Sequence, residues 1–259
     1  MKKMHGAFLL MFGATLLSAG QPARAQTADD IVARNMVARG GLLKLKAVRS
    51  VRASGHMMGP GGEAPFVLKW KRPTMYRFEF TVEGKTAIQA YDGKAGWMLL
   101  PFTDKKDPEP MAQDDLNEIE EQADFEGPLV DYRKKGNKVE LIGKEPVGGT
   151  DSYKLRMTRN NGDITLIYID AKSHLEIKSE GKRMVRGEEI EFETSQSDYK
   201  EVGGLLFPHS IGSGLKGEPA MSTFTFDKID LNVDVPDSEF RMPEVKPDPA
   251  KPAQKPEAP

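Results

Sequence analysis

Apolar and polar residues alternate with period two along most of the chain from residue 48 onward. Runs with this alternation are typical of strands with one buried face. The predicted strands span residues 48–57, 65–71, 75–82, 86–91, 96–100, 139–144, 152–158, 164–169, 175–180, 188–195, 199–202, 206–211 and 221–229. Short turn segments rich in glycine separate most of them, so we expect successive strands to pair antiparallel in a meander.

Two neighbouring strands show that the predicted sheet has one apolar and one solvated face. Their polar positions, such as Lys69, Arg77 and Glu79, alternate with aromatic and aliphatic ones. The apolar positions are Phe66, Leu68, Trp70, Tyr76, Phe78 and Phe80. The pattern predicts a mainly β fold in the form of a single curved sheet, a barrel or a sandwich.

A hairpin between residues 86 and 100 is the clearest local signal in the chain. Asp92-Gly93 separates two short apolar runs, and glycine accepts the backbone conformation of a tight turn. Trp97 and Leu99 supply large apolar side chains in the second strand, which Pro101 ends because proline has no N–H to donate.

Two helices interrupt this β pattern. The first is predicted over residues 27–39, with Thr27 as its N-cap, Val32 and Met36 on its apolar stripe, and Gly40-Gly41 as its stop. It either packs on the core as an ordinary amphipathic helix or forms a lid over a cavity.

The second helix is predicted inside the long connection between residues 103 and 133. Residues 113–124 are acidic, with Leu116 and Ile119 on a thin apolar stripe. We expect this segment to be a second cover for the sheet, with Phe125 or Leu129 packing down onto it.

The two ends of the chain differ in composition from the strand region. Residues 1–25 combine Lys2 and Lys3, a short apolar run and the triplet Ala23-Arg24-Ala25, which predicts a signal peptide cleaved after Ala25 and a periplasmic protein. Residues 244–259 are rich in proline and lysine without apolar periodicity, which predicts a disordered tail. Residues 26–243 are then the folded domain.

Charge and composition exclude several functional classes. The formal net charge of −2 becomes more negative when the leader is removed, which argues against nucleic acid as a partner. The chain has no cysteine and four histidines, and it carries no recognisable nucleophile, metal or nucleotide-binding motif. We therefore predict no catalytic residues, no metal and no cofactor. An enzyme that uses Glu118 or His209 is the weakest of the hypotheses.

The hairpin residues Tyr91, Asp92, Gly93, Trp97 and Pro101 carry a family resemblance. Together with the leader, the first helix and the later segments 168–180 and 199–209, this Tyr-Asp-Gly-x-x-x-Trp-x-x-x-Pro stretch resembles the LolA-like superfamily of outer-membrane lipoprotein-sorting proteins. The resemblance implies an incomplete antiparallel β-barrel, a half-pipe of about eleven strands whose concave face is covered by helices.

The resemblance also implies a function and a site. We expect a monomeric carrier or binder that holds the acyl chains of lipoproteins or lipids in an apolar cavity, with inner- or outer-membrane transport proteins as candidate partners. The alternative is an envelope sensor or scaffold of the same fold that binds another protein. The resemblance further implies an arginine that holds the lid shut, for which Arg49, Arg52 and Arg77 are candidates. The expected cavity residues are Phe66, Leu68, Trp70, Tyr76, Phe78, Phe80, Trp97 and Leu99, and the expected lid residues are Val32, Met36, Leu116 and Ile119.

Overall fold

The computed structural model describes residues 26–103, 107–185 and 188–244 of the chain. The predicted leader and residues 245–259 of the predicted tail lie outside these ranges, and the domain limits 26–243 stay a prediction. The helices are α1 (Ala28–Ala38), α2 (Leu42–Ala47) and α3 (Gln113–Gln122). The strands are β1 (Ser50–Gly59), β2 (Gly62–Lys71), β3 (Met75–Val82), β4 (Lys85–Tyr91), β5 (Gly96–Leu99), β6 (Glu109–Pro110), β7 (Lys138–Val147), β8 (Thr150–Thr158), β9 (Ile164–Asp170), β10 (Glu176–Val185), β11 (Glu188–Val202), β12 (Leu205–Leu215) and β13 (Ser222–Leu231).

All of these strands belong to one antiparallel sheet. Their order across the sheet is β6-β5-β4-β3-β2-β1-β13-β12-β11-β10-β9-β8-β7. The chain moves outward from β1 to β6, crosses to the opposite edge through the connection that contains α3, and returns from β7 to β13, which pairs with β1. The edges β6 and β7 do not meet. This confirms the open half-pipe, with thirteen strands in the described ranges rather than about eleven.

The strand predictions differ from the structure at two places. The two-residue strand β6 carries no alternation and was not predicted. The predicted strands 188–195 and 199–202 are one continuous strand, β11, in which Asp198 adopts a positive φ of 52°. Pairing with β12 keeps one register from Ser197 opposite Ser210 to Tyr199 opposite Pro208, so the strand continues past Asp198 despite its left-handed backbone conformation.

Helix α1 has the predicted capping residues at both ends. The Thr27 hydroxyl accepts a hydrogen bond from the Asp30 N–H, and the Asp30 carboxylate accepts one from the Thr27 N–H. At the other end Gly40 has a φ of 106°, and a Cβ there would stand 2.2 Å from the Gly204 carbonyl oxygen. Glycine is therefore required where α1 meets the turn between β11 and β12. No helix in the described ranges is long and apolar enough to cross a bilayer.

Two apolar clusters cover the inner face of the sheet. The first joins α1, through Ile31 and Met36, to β7, β8 and β9, where Leu155 and Ile169 are fully buried. The second joins α3, through Ile119, to Ala53 of β1 and to the aromatic residues of β2, β3, β4 and β13. Trp70 and Ile229 pack against both clusters, so the two covers share a continuous core.

The outer face carries a segment for which no helix or strand was predicted. Residues 232–243, here called the C-terminal strap, run from the end of β13 across the outside of β2 to β5. The strap places Phe240 in full burial, its carbonyl accepts a hydrogen bond from Trp97 Nε1 at 2.9 Å, and the Glu239 carbonyl accepts one from Arg77 Nη1 at 2.6 Å. The strap therefore stabilises the same hairpin that dominates the sequence pattern.

We expect Phe240→Ala to lower the free energy of unfolding by about 3–5 kcal/mol, because it removes a fully buried ring and leaves a cavity that the sheet cannot close. Urea unfolding followed by circular dichroism measures this change. Phe102→Ala is the matched control, since this ring is 44% exposed and its loss is expected to cost roughly 1 kcal/mol or less. Equal costs for the two substitutions would show that the strap is not part of the cooperative fold.

Candidate functional site

A cavity of about 430 Å³ lies between the inner face of the sheet and its helical covers. Its floor is formed by inward side chains of β1, β2 and β9 to β13, and its roof by the last turn of α1 and by residues 121–129, here called the covering segment. This volume lies within the range of small-molecule sites, roughly 300–1,000 Å³. Protein interiors are close-packed, so a void of this size differs from an ordinary core.

The cavity walls are mainly aliphatic and aromatic. The floor presents Val51, Ile167 and Ile229, and the roof presents Phe125 and Leu129. Leu129 is buried and Phe125 is half-buried against the first cluster, which confirms that this part of the long connection packs down onto the sheet. Such a surface suits a chain of methylene groups.

Six of the predicted cavity residues share the inner face of the sheet. Phe66 pairs with Phe80, Leu68 with Phe78, and Trp70 with Tyr76, and directly opposed residues in a ladder point to the same side. Trp70 lines the cavity itself. The other five belong to the second cluster, under and beyond α3. Their role in ligand binding stays a prediction.

The placement of Trp97 and Leu99 in the cavity is wrong. Tyr91 pairs with Gly96 in the hairpin, so Trp97 pairs with Ala90 and Leu99 with Ile88, on the outer face. Both residues instead line a groove beside the C-terminal strap. The strand alternation holds here, but the position of the turn, not the size of the indole, decides which face Trp97 occupies.

The four predicted lid residues anchor the covers without lining the cavity. Val32 and Met36 are buried in the first cluster, while Ile119 is buried and Leu116 half-buried in the second. The cavity surface comes from other positions of the same elements, chiefly Asn35 and Arg39.

Three of the side chains that hold the covering segment come from α1 and from the region of β2. Arg39 Nη1 donates to the Glu126 carbonyl at 2.7 Å, Arg72 Nη2 lies 2.5 Å from the Glu126 carboxylate, and Trp70 Nε1 donates to the Gln122 carbonyl at 2.8 Å. Arg39 belongs to the other cover and Arg72 follows β2. The cover is thus tied both to α1 and to the sheet.

The three predicted lid arginines do not make these contacts. Arg77 lies on the outer face, where it bonds Glu79 and the C-terminal strap. Arg52 pairs with Lys69 and shares that outer face, while Arg49 precedes β1. Arg39 and Arg72 were missed because nothing in their local sequence indicates which carbonyl or carboxylate they reach.

One end of the cavity is polar. Gln196 Nε2 donates to Glu176 Oε1 at 3.0 Å, and the Tyr199 hydroxyl lies 2.8 Å from both the Glu176 carbonyl and Gln196 Oε1. Arg39 and Ser179 border the same space. Here this group is called the polar cluster. Sequence reasoning missed it, because its members come from α1, β10 and β11.

Burial dominates the electrostatics of the polar cluster. Desolvation raises the pKa of Glu176 to about 7, although the Arg39 charge and a hydrogen bond from Ser179 oppose this. Burial also raises the pKa of Tyr199 and lowers that of Arg39. The Glu176 carboxyl therefore takes both protonation states near neutral pH.

A row of aromatic rings continues the inner face beyond the cavity. Ring centroids lie 5.6 Å apart for Phe66 and Phe224, 6.0 Å for Phe66 and Phe78, and 5.6 Å for Phe78 and Phe80. Phe226 lines the cavity and stacks edge-on against Phe66 at 5.2 Å, which joins the row to the cavity. Several of these rings are only half-buried, so the apolar surface extends toward solvent.

Neither of the residues named by the enzyme hypothesis, Glu118 and His209, lines the cavity. His56 is exposed and lies 2.9 Å from Asp227, and His209 is buried beside the Phe207 carbonyl. The acidic side chains of α3, such as Glu118, face solvent. The described ranges contain no cluster of three or more His, Asp or Glu side chains able to hold a metal ion.

Comparison with known proteins identifies the fold. No protein-family model matches the chain, and no curated protein sequence does either. Among solved structures, a LolA superfamily protein from Nitrosomonas europaea is 14% identical with a TM-score of 0.54, over 84% of this chain and 98% of that one. A DUF1329 family protein from Desulfovibrio piger is 11% identical with a TM-score of 0.55, over 83% and 97%.

A third solved structure has the same fold. An outer membrane lipoprotein-sorting protein domain from Vibrio parahaemolyticus is 13% identical with a TM-score of 0.52, over 81% of this chain and 94% of that one. The resemblance inferred from the hairpin motif is thus confirmed as a shared fold. Sequence identities this low do not show that this chain binds the same ligand or partner as these proteins.

We expect Glu176→Gln to stabilise the protein at pH 8 and to have little effect at pH 4.5. The folded-state pKa of about 7 exceeds the ordinary value of 4.5, so the wild type loses stability as pH rises between these values. The difference between variant and wild type should grow to at most about 3 kcal/mol.

Urea unfolding at a series of pH values measures this difference. Glu218→Gln, at an exposed position, is the control and should stay within about 0.5 kcal/mol of the wild type throughout. A pH-independent effect of Glu176→Gln would mean that the Glu176 carboxyl is as well solvated in the folded protein as in the unfolded chain.

Proposed function

We propose that this protein is a periplasmic carrier or binder of lipoproteins or lipids, which holds acyl chains in the cavity between the sheet and its covers. The observation that carries the proposal is the mainly apolar cavity of about 430 Å³ between the inner face of the sheet and its covers. At roughly 30 Å³ for a group the size of a water molecule or methylene, the void accommodates a chain of about a dozen carbons.

Burial of the chain supplies the binding energy. Each buried methylene contributes about 0.8 kcal/mol, so a dozen give on the order of 10 kcal/mol before the cost of immobilising the ligand. The aromatic row that starts at Phe226 extends the apolar surface beyond the cavity, so longer or additional chains have a place to lie.

Release of cargo requires the covering segment to move. Its polar attachments to Arg39, Trp70, Arg72, Lys135 and Arg159 are directional and reversible. Ile119, just before the segment, and Leu129, at its end, are anchored in the apolar core. Opening of the segment between these anchors exposes the cavity without unfolding the sheet. A carrier needs this combination of an apolar site and a reversible cover.

Other features support an envelope location and this class of cargo. The predicted leader indicates export, and a solved structure of the same fold is described as an outer membrane lipoprotein-sorting domain. The scaffold hypothesis places a protein partner, rather than a lipid, at the centre of the function, and the experiment below distinguishes the two.

We expect Thr194→Trp to reduce uptake of the uncharged probe dodecan-1-ol at least ten-fold, because Thr194 lines the cavity and an indole there occupies the space of the chain. Native mass spectrometry of the protein purified from the periplasm, with organic extraction, detects both added and co-purifying lipid. Thr225→Trp is the matched control, since Thr225 is exposed and pairs with His56 on the outer face of the sheet.

If Thr194→Trp takes up the probe as well as the wild type does, the ligand binds outside this cavity. If the wild type carries no lipid and takes up none, and a stoichiometric protein partner co-purifies instead, the scaffold hypothesis replaces the carrier.

A further inference from the structure

Two oppositely charged side chains face the polar end of the cavity without forming an ion pair. Arg39 lines the cavity from α1 and Glu176 from the start of β10. They attract each other across the cavity, yet among the described ion pairs none joins them. The one side-chain hydrogen bond that the structure gives Arg39 goes to the Glu126 carbonyl, while the guanidinium has five N–H donors.

The other charges around the cavity are already paired with one another. Asp124 bonds Lys135 at 2.5 Å, Glu126 bonds Arg72 at 2.5 Å, and Glu121 lies 3.1 Å from Arg159. Among the described charged side chains that line the cavity, Arg39 and Glu176 are the two that form no ion pair with a neighbouring side chain. A buried ion without a close partner is costly, so a ligand that contacts both groups is favoured.

The chemistry of the two side chains restricts that ligand. A guanidinium only donates hydrogen bonds, and an ionised carboxylate only accepts them. While Glu176 is ionised, the bridging group must therefore accept a hydrogen bond from Arg39 and donate one to Glu176. A secondary amide does both, an ester or a carboxylate only accepts, and an ammonium only donates.

We propose that the cavity recognises an amide-linked acyl or alkyl chain, with the amide carbonyl on Arg39 and the amide N–H on Glu176. This inference rests on the proposed function and names the polar group of its cargo. A chain attached to that amide runs from the polar cluster along Ile167 and Ile229 toward Phe226 and the aromatic row. Gln196 and Ser179 hold the carboxyl in place by hydrogen bonding to it.

The surroundings disfavour the competing head groups. A free carboxylate would meet Arg39 but also lie against Glu176, with Asp124 and Glu126 close to the same guanidinium. An ammonium would meet Glu176 but be repelled by Arg39. An ester would leave the Glu176 carboxylate facing a second acceptor.

The test compares N-decylacetamide with decyl acetate, which differ only in N–H against oxygen. Displacement of the neutral fluorescent probe 1-N-phenylnaphthylamine gives the affinity of each, and the amide-to-ester affinity ratio cancels the contribution of the common chain. We expect this ratio to fall at least ten-fold in Glu176→Leu, because hydrogen bonds to charged groups in buried sites have about this effect or more. Glu218→Leu is the matched control at an exposed position.

A second measurement does not depend on the folding of Glu176→Leu. In the wild type the ratio should rise between pH 6 and pH 8, because the pKa of Glu176 is about 7 and the ionised carboxyl is the stronger acceptor. The groups that face Glu176 are Arg39 from α1, and Gln196 and Tyr199 from β11, and none of these titrates in that interval. Glu176→Gln should abolish the rise.

The outcomes separate the two proposals. In one outcome the wild type binds both compounds with an amide-to-ester affinity ratio that does not change with pH and is the same in Glu176→Leu. That result overturns the amide inference and leaves the carrier proposal standing. Failure of the wild type to bind either compound overturns the carrier proposal, and the amide inference with it.

Discussion

The structure depends on one constraint: a sheet that is apolar on one face and does not close on itself must have that face covered by other parts of the chain. The edges β6 and β7 stay apart, so the strands cannot shield their inner side chains as a closed barrel does. Two covers, α1 and the region of α3, bury much of the face. The space that they leave between them is the cavity.

The same constraint explains why the polar contacts of the covers matter more than their number suggests. Within an apolar interior each hydrogen bond is stronger than in water, and each unsatisfied group is more costly. Arg39 illustrates both effects: it donates a hydrogen bond to the Glu126 carbonyl, and it also places a charge at the wall of the cavity. One side chain, Arg39, therefore both holds the covering segment in place and puts a charge on the cavity wall.

Much of the fold could be predicted from the sequence, because strand alternation and helix capping are local. The inner-face residues from Phe66 to Phe80 and the caps of α1 at Thr27 and Gly40 are all as expected. Trp97 was misplaced because the face of a residue after a turn depends on the register of the hairpin, which alternation alone does not set. The polar cluster could not be predicted, since it combines β10 at a register shift, side chains of β11 and a residue at the end of α1.

The pairing of β1 with β13 also affects how the protein folds. Val51 lies beside Leu231, so the central ladder of the sheet joins two ends of the folded chain. The strands from β1 to β6 and from β7 to β13 can each form hairpins early, because their contacts are local. The ladder between the halves must close a loop of nearly the whole domain, and such non-local contacts slow folding. Completion of the sheet therefore waits for the last strand, which keeps the chain unfolded longer after synthesis than a meander with local contacts alone would.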